Sequence, residues 1–444
     1  MCGLAGLALR RWDPDFSGAY VAAAAKYLAR RGPDGFNCKR VTPELVLTQA
    51  RLSIIDLEGG TQPMSDAHGD IVYNGEIYNY RELKESGVAY QTSSDTEILL
   101  KGLNDHGVDF LNRIDGMFAF AHYDRRTRRL TLGRDQFGIK PLYYFADQTR
   151  IAFASRLQPL MLLSEKIIHK KALAEYYFTR ACRGANTIFT DIIEVLPGEA
   201  IIFDLDSFTI IDKRIWAAPH VPRRDQHDEG EALHALERAM RLSVDRHLVA
   251  DVPVASLLSG GVDSSLITAL AAQRRPDMSA FSIGFYNKAF DESHYAAAVC
   301  QKYKIRHHVR YCDSGEFTGA LAEWPEVMDD VVADPSAVML YIVAQFARDM
   351  GFKVALSGDG ADELFGGYNQ YYRFQLALRL NAYARHFPWA ADIVRSLTHN
   401  QSRYVHFARM ATRDPNYYGT GMIFEPLPTA AYTATSPKGE RFRI

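Results

Sequence analysis

The chain has 444 residues, 47% of them hydrophobic, which is enough for more than one core and too long for one typical domain. Its 51 basic and 53 acidic residues leave a net charge of −2, so the charge balance does not indicate a nucleic-acid surface. The five cysteines show neither a Cys-x-x-Cys pair nor zinc-site spacing, and they fit reduced thiols in the cytoplasm. No signal-peptide pattern and no apolar run near ~20 residues is found, which argues against secretion and membrane spanning.

The first candidate for chemistry is Cys2, which follows the initiator methionine. The small apolar residues after it predict a buried strand over Gly3–Leu9. Removal of Met1 would give Cys2 a free α-amine with a pKa of about 7.7–8.0, which could accept the thiol proton without a separate His or Asp. For a second-position cysteine taken alone, a small buried side chain at a strand start is the alternative.

Three further segments of the N-terminal half carry groups suited to an amino-acid ligand. The pattern of Arg51–Leu57 predicts a strand that begins with a guanidinium side chain, which could bind a ligand carboxylate in a bidentate pair. Within Tyr73–Asn79, the Asn74 amide and the Gly75 N–H could point together at an oxyanion, although an Asn-Gly hairpin turn is the alternative. Asp95 opens a predicted helix, so it either caps that helix or holds a substrate ammonium.

These motifs occur in a fixed order along the chain. They are Met1-Cys2-Gly3, Arg31-Gly32-Pro33-Asp34, Arg51-Leu52-Ser53, Asn74-Gly75-Glu76, Asp95 and the run from Asp135 to Tyr143. The order is similar to that of class II glutamine amidotransferases, and from Cys2 to about Tyr368 the chain resembles the glutamine-hydrolysing asparagine synthetases.

The resemblance implies an α+β N-terminal-nucleophile fold, an αββα sandwich of two stacked antiparallel sheets between helices. It implies Cys2 as nucleophile and Asn74 with Gly75 as the oxyanion hole. Arg51 would bind the glutamine α-carboxylate, with Glu76 and Asp95 near its α-amine. The full set assigned to glutamine is Arg51, Leu52, Ser53, Ile54, Ile55, Asn74, Gly75, Glu76 and Asp95.

Two positions depart from the relatives. Arg30 stands where His is usual, and Arg156 follows Phe153-Ala154-Ser155 where Glu is common. They concern the surroundings of the glutamine site and the interface between the domains.

A second candidate site begins at Val254–Leu258, an apolar run that predicts a buried strand and ends in Ser259-Gly260-Gly261 before a helical segment. Glycines, hydroxyls and helical N–H groups at such a junction suit a polyphosphate, and Asp263 among them calls for a cation such as Mg²⁺. No Lys follows the glycines, so the P-loop NTPase motif is absent. A Ser/Gly turn with a helix cap is the alternative.

The C-terminal half alternates predicted strands and helices. Helices over 231–248 and 291–302 and strands at Phe281–Phe285 and Lys353–Leu356 predict a parallel α/β sheet with ligands at the carboxyl ends of its strands. A second loop, Ser357-Gly358-Asp359, follows the last of these strands, so the two loops are expected to converge on one nucleotide. The predicted domains are 1–215 and 231–444, joined by a linker over 216–230.

In asparagine synthetases the second loop is similar to this one, and the fold is an α/β parallel-sheet pyrophosphatase-type (adenine nucleotide alpha hydrolase-like) domain. The resemblance places Asp359 near the acyl-adenylate as proton acceptor, and Asp362 on Mg²⁺ together with Asp263. The residues assigned to ATP are Leu257, Leu258, Ser259, Gly260, Gly261, Asp263, Ser264, Ile283, Ser357 and Gly358.

The segment from Asp329 to Tyr341 matches the relatives only in part, since Val331 replaces a usual Pro and Met339-Leu340 replace Pro-Thr. The relatives also continue further, with an Arg-x-Pro-Phe-Leu-Asp-like segment and a phosphate-binding Lys that are absent between residue 371 and the end. Either the chain is truncated or its synthetase site is incomplete. Basic residues near the end, Lys438, Arg441 and Arg443, lie in a polar tail without a strand or helix pattern.

The expected function is ATP-dependent amidation of aspartate with glutamine-derived ammonia, through β-aspartyl-AMP, releasing AMP, pyrophosphate and glutamate. An internal ammonia passage is implied by the separate domains. Glutamine and aspartate are the expected partners, with a homodimer left open. The alternatives are a related amidotransferase acting on another carboxylate, and a non-synthetic binding or stress protein that keeps the fold.

Overall fold

The computed structural model describes residues 2–217 and 228–369, and beyond these only scattered positions that include 433–435 and 441–443. Most of the predicted linker over 216–230 therefore lies outside the described residues. So does most of the segment after residue 371, on which the expectation of truncation depends. The structure describes all five cysteines, and each carries a free thiol.

The N-terminal half contains twelve strands and four α-helices within residues 2–217. The strands are β1 (Gly3–Leu9), β2 (Gly35–Arg40), β3 (Leu45–Arg51), β4 (Met64–Ser65), β5 (Gly69–Ile77), β6 (Gly116–Asp124), β7 (Arg129–Arg134), β8 (Tyr143–Ala146), β9 (Arg150–Ala154), β10 (Ile193–Glu194), β11 (Glu199–Asp204) and β12 (Thr209–Ile215). The helices are α1 (Pro14–Leu28), α2 (Asp95–His106), α3 (Leu157–Leu160) and α4 (Lys170–Thr179), with a 3-10 helix at Gly107–Arg113.

The strands form two six-stranded antiparallel sheets, in the orders β10-β8-β9-β1-β3-β2 and β12-β11-β7-β6-β5-β4. The inner faces of the two sheets pack together, and Leu4 of one meets Val72 of the other in a fully buried core. Helix α1 packs on the outer face of the first sheet through Tyr20 and Leu28. Helix α2 packs on the outer face of the second sheet through residues that include Leu99. This is the predicted αββα sandwich, and the prediction is confirmed.

Every residue of β1 is buried, because its two faces meet different partners. Leu4 and Ala8 lie in the core between the sheets, whereas Ala5 and Leu7 pack under α1. Alternation of side chains across a strand sends successive residues to opposite faces. A run of small apolar residues therefore fits a strand that is covered on both sides, as the sequence predicted.

The C-terminal half forms a four-stranded parallel sheet in the order β15-β14-β13-β16. Its strands are β13 (Val254–Leu257), β14 (Ser279–Phe285), β15 (Arg306–Cys312) and β16 (Val354–Leu356). Its helices are α5 (Glu229–His247), α6 (Val262–Arg274), α7 (Ser293–Tyr303), α8 (Ser314–Val327), α9 (Pro335–Asp349) and α10 (Ala361–Phe365). Helices α5, α6 and α7 pack on one face through residues such as Val244 and Leu270, and α8 and α9 pack on the other through residues such as Val343.

The strand order reverses at β13, since β14 lies on one side of it and β16 on the other. Crevices at such reversal points, outside the carboxyl ends of parallel strands, are where open α/β sheets bind ligands. The predicted parallel sheet is confirmed, and its geometry brings the loops after β13 and β16 to neighbouring positions.

Two local predictions are wrong. Arg51 is the last residue of β3, not the head of a strand, and the chain from Leu52 onward forms a loop. The tail also contains a short antiparallel hairpin of β17 (Thr433–Thr435) and β18 (Arg441–Arg443), where no strand was predicted. Thr-Ala-Thr and Arg-Phe-Arg have β-branched and aromatic residues that favour pairing once a partner strand is present.

None of the helices in the part of the chain that the structure describes is both long enough and apolar enough to cross a membrane.

Candidate active sites

Cys2 precedes β1 and opens onto a cavity of about 70 Å³, called the Cys2 cavity below. Its walls are Cys2, Arg51, Leu52, Ile54, Ile55, Gly60, Gln62, Tyr73, Asn74, Gly75, Glu76, Ser94, Asp95, Thr96, Met117 and Lys140. Eight of the nine residues assigned to glutamine are in this set. The exception is Ser53, whose backbone N–H donates to Asp34 at 2.7 Å.

The Cys2 thiol is held by the backbone of Leu52. The Leu52 N–H donates to Sγ at 3.3 Å, and Sγ lies 3.5 Å from the Leu52 carbonyl oxygen. Burial raises the pKa of the thiol, and the Leu52 N–H opposes that rise. No imidazole or carboxylate among the described residues hydrogen-bonds to Sγ. A nucleophile here therefore needs a proton acceptor other than a His–Asp pair, which suits a cysteine whose own α-amine is free.

Asn74 and Gly75 lie within strand β5, so the hairpin-turn alternative is wrong. The turn preference of Asn-Gly is overridden by pairing along β6, where Asn74 is opposite Ala119 and Gly75 is opposite Phe118. A Cβ on Gly75 would stand 2.2 Å from the Met117 carbonyl oxygen, so the close approach of β6 requires glycine.

The Asn74 side chain is 1% exposed, and neither its Nδ2 nor its Oδ1 has a hydrogen-bond partner among the described residues. A buried amide without partners is costly, and such groups concentrate where a ligand completes the site. This buried donor and Cys2 line the same cavity. That arrangement can stabilise an oxyanion formed on a substrate carbonyl.

Arg51 organises the wall of the cavity. Its guanidinium donates to the carbonyl oxygens of Leu57 at 2.9 Å, Asp56 at 2.5 Å and Ile55 at 3.5 Å. The loop after β3 therefore curls around the guanidinium, and Asp56 adopts a positive φ of 49° to do so. One charged group both shapes the loop and lines the cavity.

Glu76 and Asp95 place two carboxyl groups in the same cavity wall. Asp95 accepts from the Tyr73 hydroxyl at 2.9 Å and from the Ile77 N–H at 3.1 Å. Burial raises the pKa of Asp95, and burial together with the Asp95 charge raises the pKa of Glu76 well above its ordinary value. A bound cation would favour the ionised forms of both groups, so an ammonium is a fitting ligand. The helix cap predicted as an alternative for Asp95 is instead Ser94, whose side chain accepts from the Thr96 N–H.

Lys140 is a cavity residue to which sequence reasoning gave no role. It is 3% exposed, and burial and the charge of Arg31 lower its pKa to about 8. The signal available in the sequence was its place in the Gly138-Ile139-Lys140-Pro141 run, far along the chain from Cys2. Only the fold shows that this run reaches the cavity.

The second candidate site lies at the end of β13. Gly260 has a φ of 91°, and a Cβ there would stand 2.7 Å from the Cβ of Tyr295. The Ser259 hydroxyl accepts from the Gly261 N–H at 3.2 Å and lies 2.9 Å from the Ser264 hydroxyl. Gly261 is the N-cap of helix α6 and supplies no side-chain cap, so the first N–H groups of this 13-residue helix remain available to an anion.

The loop after β16 packs directly on this helix start. A Cβ on Gly358 would stand 2.8 Å from the Ser264 backbone nitrogen, so only glycine allows the two loops to meet. Gly360 has a φ of 90°, and the Ser357 hydroxyl donates to Asp359 at 2.9 Å. The convergence predicted from the repeated Ser-Gly pattern is present.

Leu258 is not brought to the surface of the site. Its side chain is 1% exposed in the core, its N–H donates to Phe281, and its carbonyl oxygen accepts from the Ser282 hydroxyl. Leu257 and Ile283 are partly buried beside the sheet core and remain near the strand ends.

The metal prediction concerns Asp263 in the first turn of α6 and Asp362 in the first turn of α10. The described residues include no cluster of three or more His, Cys, Asp or Glu side chains arranged to hold a metal ion. Mg²⁺ at a nucleotide site commonly takes only one or two carboxylates, with phosphate oxygens and waters completing the octahedron. One aspartate at the start of each helix that follows the converging loops fits that donor set.

Each half of the chain matches a known protein family. Residues 1–216 match the family model of the glutamine amidotransferase domain, and residues 235–432 match that of asparagine synthase. The chain is 38% identical over 336 residues to asparagine synthetase [glutamine-hydrolyzing] 1 of Bacillus subtilis, covering 74% of this chain and 52% of the relative. It is 35% identical over 384 residues to a putative asparagine synthetase [glutamine-hydrolyzing] of Mycobacterium tuberculosis, covering 81% and 58%.

The chain thus spans between half and three fifths of the length of these two relatives. A third relative is matched over most of its length. The chain is 31% identical over 418 residues to putative asparagine synthetase [glutamine-hydrolyzing] 2 of Methanocaldococcus jannaschii, covering 87% of this chain and 79% of that relative. Together with the two family models, these matches show that the chain belongs to the family of glutamine-hydrolysing asparagine synthetases.

Proposed function

We propose that the chain hydrolyses glutamine at Cys2 and uses the ammonia for ATP-dependent amidation of aspartate. The observation that carries this proposal is the presence, in one chain, of a cavity lined by both Cys2 and an unpartnered buried amide, and of two converging Ser-Gly loops at a sheet reversal point. The names of the relatives support the same reaction.

At the first site, the Cys2 thiolate attacks the side-chain carbonyl carbon of glutamine. The Asn74 amide and the Gly75 N–H stabilise the oxyanion, ammonia leaves with the proton taken from the thiol, and water releases glutamate from the thioester. Arg51 binds the α-carboxylate of glutamine, while Glu76 and Asp95 bind its α-ammonium. Ionic groups of both signs in one small cavity select an amino acid over a neutral amide.

At the second site, the aspartate β-carboxylate attacks the α-phosphorus of ATP, which gives β-aspartyl-AMP and pyrophosphate. The N–H groups and hydroxyls of the Ser259 loop hold the phosphates. Bound Mg²⁺, held by Asp263 and Asp362, would supply charge neutralisation between those carboxylates and the phosphates. Ammonia then displaces AMP to give asparagine, with Asp359 as the proton acceptor.

A different acceptor is the second candidate. It is favoured by the segment that borders the predicted acceptor site, where Val331 and the Met339-Leu340 pair depart from the relatives. Release of AMP with a set of carboxylic acids, in place of aspartate, would identify such an acceptor. The free thiols of all five cysteines fit the reducing cytoplasm, and a homodimer remains a prediction.

The test of the two-site proposal is a pair of substitutions with opposite effects. Cys2→Ala should abolish asparagine formation from glutamine and leave formation from ammonium salts intact, because only the first site uses the thiolate. Asp263→Asn should do the reverse, sparing glutamine hydrolysis and lowering AMP formation. Equal loss of both activities in either variant would reject the division of labour.

A further inference from the structure

At the boundary between the two halves, Arg31, Arg156 and Asp329 form a largely buried ionic cluster that the reaction scheme above does not use. Arg156 follows β9 and its side chain is 4% exposed. Its Nε lies 2.5 Å from Oδ1 of Asp329, a residue 173 positions further along the chain. Position 156 is also one of the positions at which the resemblance noted in the sequence is broken.

Every nitrogen of the Arg156 guanidinium donates at least one hydrogen bond. Besides Asp329, it donates to the Tyr27 carbonyl oxygen at 3.1 Å, and to the carbonyl oxygens of Glu326 at 2.9 Å and Met328 at 3.1 Å. The end of α8 and the residues after it are thereby tied to the N-terminal half. A planar guanidinium with five N–H donors can make this set of bonds, whereas a lysine ammonium cannot.

The other Asp329 oxygen lies near Arg31, which contacts the main chain of Cys2. Oδ2 lies 3.5 Å from Nη1 of Arg31, and Arg31 Nε donates to the Cys2 carbonyl oxygen at 3.2 Å. The Arg31 and Asp329 side chains are 13% and 16% exposed. A continuous path of charged groups therefore runs from the main chain of Cys2 to the segment that leads into α9.

The segment between α8 and α9 makes further contacts with the N-terminal half beyond Asp329. Val332 forms a bridge with Ala181, and the Ala333 N–H donates to the Arg180 carbonyl oxygen at 2.8 Å. Helix α9 follows directly and packs through Val343 on the sheet that carries the two converging loops. The position of the α8–α9 connection relative to Cys2 is thus set by contacts that cross the boundary.

We propose that Asp329 is a positioning residue that couples the two reactions, by fixing the α8–α9 connection to the main chain of the nucleophile. The inference rests on the proposed function, since coupling has meaning only if both sites work. One carboxylate neutralises two buried guanidinium groups, so its loss leaves two like charges facing each other. The connection should then move away from the Cys2 side, and ammonia released there should escape to solvent more often.

The test compares Asp329→Asn with Glu323→Gln. Glu323 pairs with Arg30 across the same boundary at 3.2 Å, but these side chains are 48% and 54% exposed, so this pair should contribute little. Two rates and one ratio are measured for each variant: the rate of glutamate formation from glutamine alone, the rate of AMP formation from ammonium salts, and the asparagine formed per glutamate when glutamine is the nitrogen donor. A fourth reading is the ¹⁵N content of asparagine made from amide-labelled glutamine in excess unlabelled ammonium.

For Asp329→Asn we expect the first two rates to stay near those of the unaltered chain, and the asparagine-to-glutamate ratio to fall by about fivefold or more, the range of site-to-site coupling. The ¹⁵N content should fall with it, and Glu323→Gln should change neither. If Asp329→Asn does not fold, Arg156→Lys serves instead, because it keeps the charge and loses the shared bonds. Asp329→Glu should restore most of the ratio.

Three outcomes overturn the inference. The ratio and the ¹⁵N content are unchanged in Asp329→Asn, or both rates fall together with the ratio, or Glu323→Gln has the same effect as Asp329→Asn. A failure of the proposed function looks different, because the unaltered chain would then form no AMP even from ammonium salts, and the inference would fall with it.

Discussion

Replacing Asn74 by leucine tests whether its side-chain amide has a catalytic or a structural role. The Asn74 amide is buried, and neither polar atom has a partner among the described residues. Loss of one oxyanion-hole donor typically lowers kcat by about 10²–10³, or ~2.7–4 kcal/mol. An unsatisfied buried polar group costs about 1–3 kcal/mol, so leucine, which is similar in size, should leave stability unchanged or raise it.

The assay is glutamate release from glutamine, with thermal unfolding measured on the same preparation. Asn104→Leu is the matched control, since Asn104 Nδ2 donates to Asp66 at 2.8 Å and Oδ1 lies 2.9 Å from His122 Nε2, outside the Cys2 cavity. It should lose stability and keep its rate per folded molecule. A rate in Asn74→Leu within about threefold of the unaltered chain, far from the 10²-fold expected of an oxyanion donor, would refute the assignment.

Three further expectations concern other groups. A non-cleavable N-terminal tag should abolish glutamine hydrolysis by removing the free amine of Cys2, and full glutaminase activity in the tagged chain would mean that another base serves the thiol. Asp263→Asn should lower AMP formation by about 10²–10³ if Asp263 acts on charge developing at the phosphates, and an unchanged rate would reject that role. Burial lowers the pKa of His122 from 6.5 to about 4, so the unfolded chain binds more protons between these values. Stability should therefore fall with decreasing pH across that window, by about 3 kcal/mol at 1.36 kcal/mol per pKa unit. In denaturant titrations at pH 4 to 7, His122→Gln should lose less stability with decreasing pH than the unaltered chain does. An equal loss in both would show that other groups cause it.

Much of the fold follows from short-range pattern. The small apolar run of β1 predicted a strand buried on both faces, and the alternation of strands and helices after Val254 predicted a parallel sheet. The repeated Ser-Gly pattern predicted two loops at one site, and the approach of Gly358 to Ser264 agrees with it. These features depend on residues that are close in sequence or on general rules of sheet topology.

The errors come from contacts between distant segments. Arg51–Leu57 has the composition of a strand, but the chain turns there around the Arg51 guanidinium. The turn is also held by Asp251, which accepts a hydrogen bond from the Asp56 N–H although it lies 195 positions further along the chain. Asn74-Gly75 has the composition of a turn, but β6 pairs along it.

The Arg156–Asp329 pair and the place of Lys140 in the Cys2 cavity could not be predicted for the same reason. Each joins segments whose proximity is set by the whole fold. Local propensity is overridden wherever such contacts bury more surface or satisfy more charge.

The most direct measurement is AMP formation by the 444-residue chain from ATP and glutamine, with and without aspartate, with glutamate measured in the same samples. If Cys2 supplies ammonia to a synthetase site built from the Ser259 and Ser357 loops, AMP should accumulate only with aspartate present, and Cys2→Ala should form it only from ammonium salts. Two results would contradict the proposal that the two sites perform one amidation: glutamate release without AMP formation at any aspartate concentration, or AMP release at the same rate with and without aspartate.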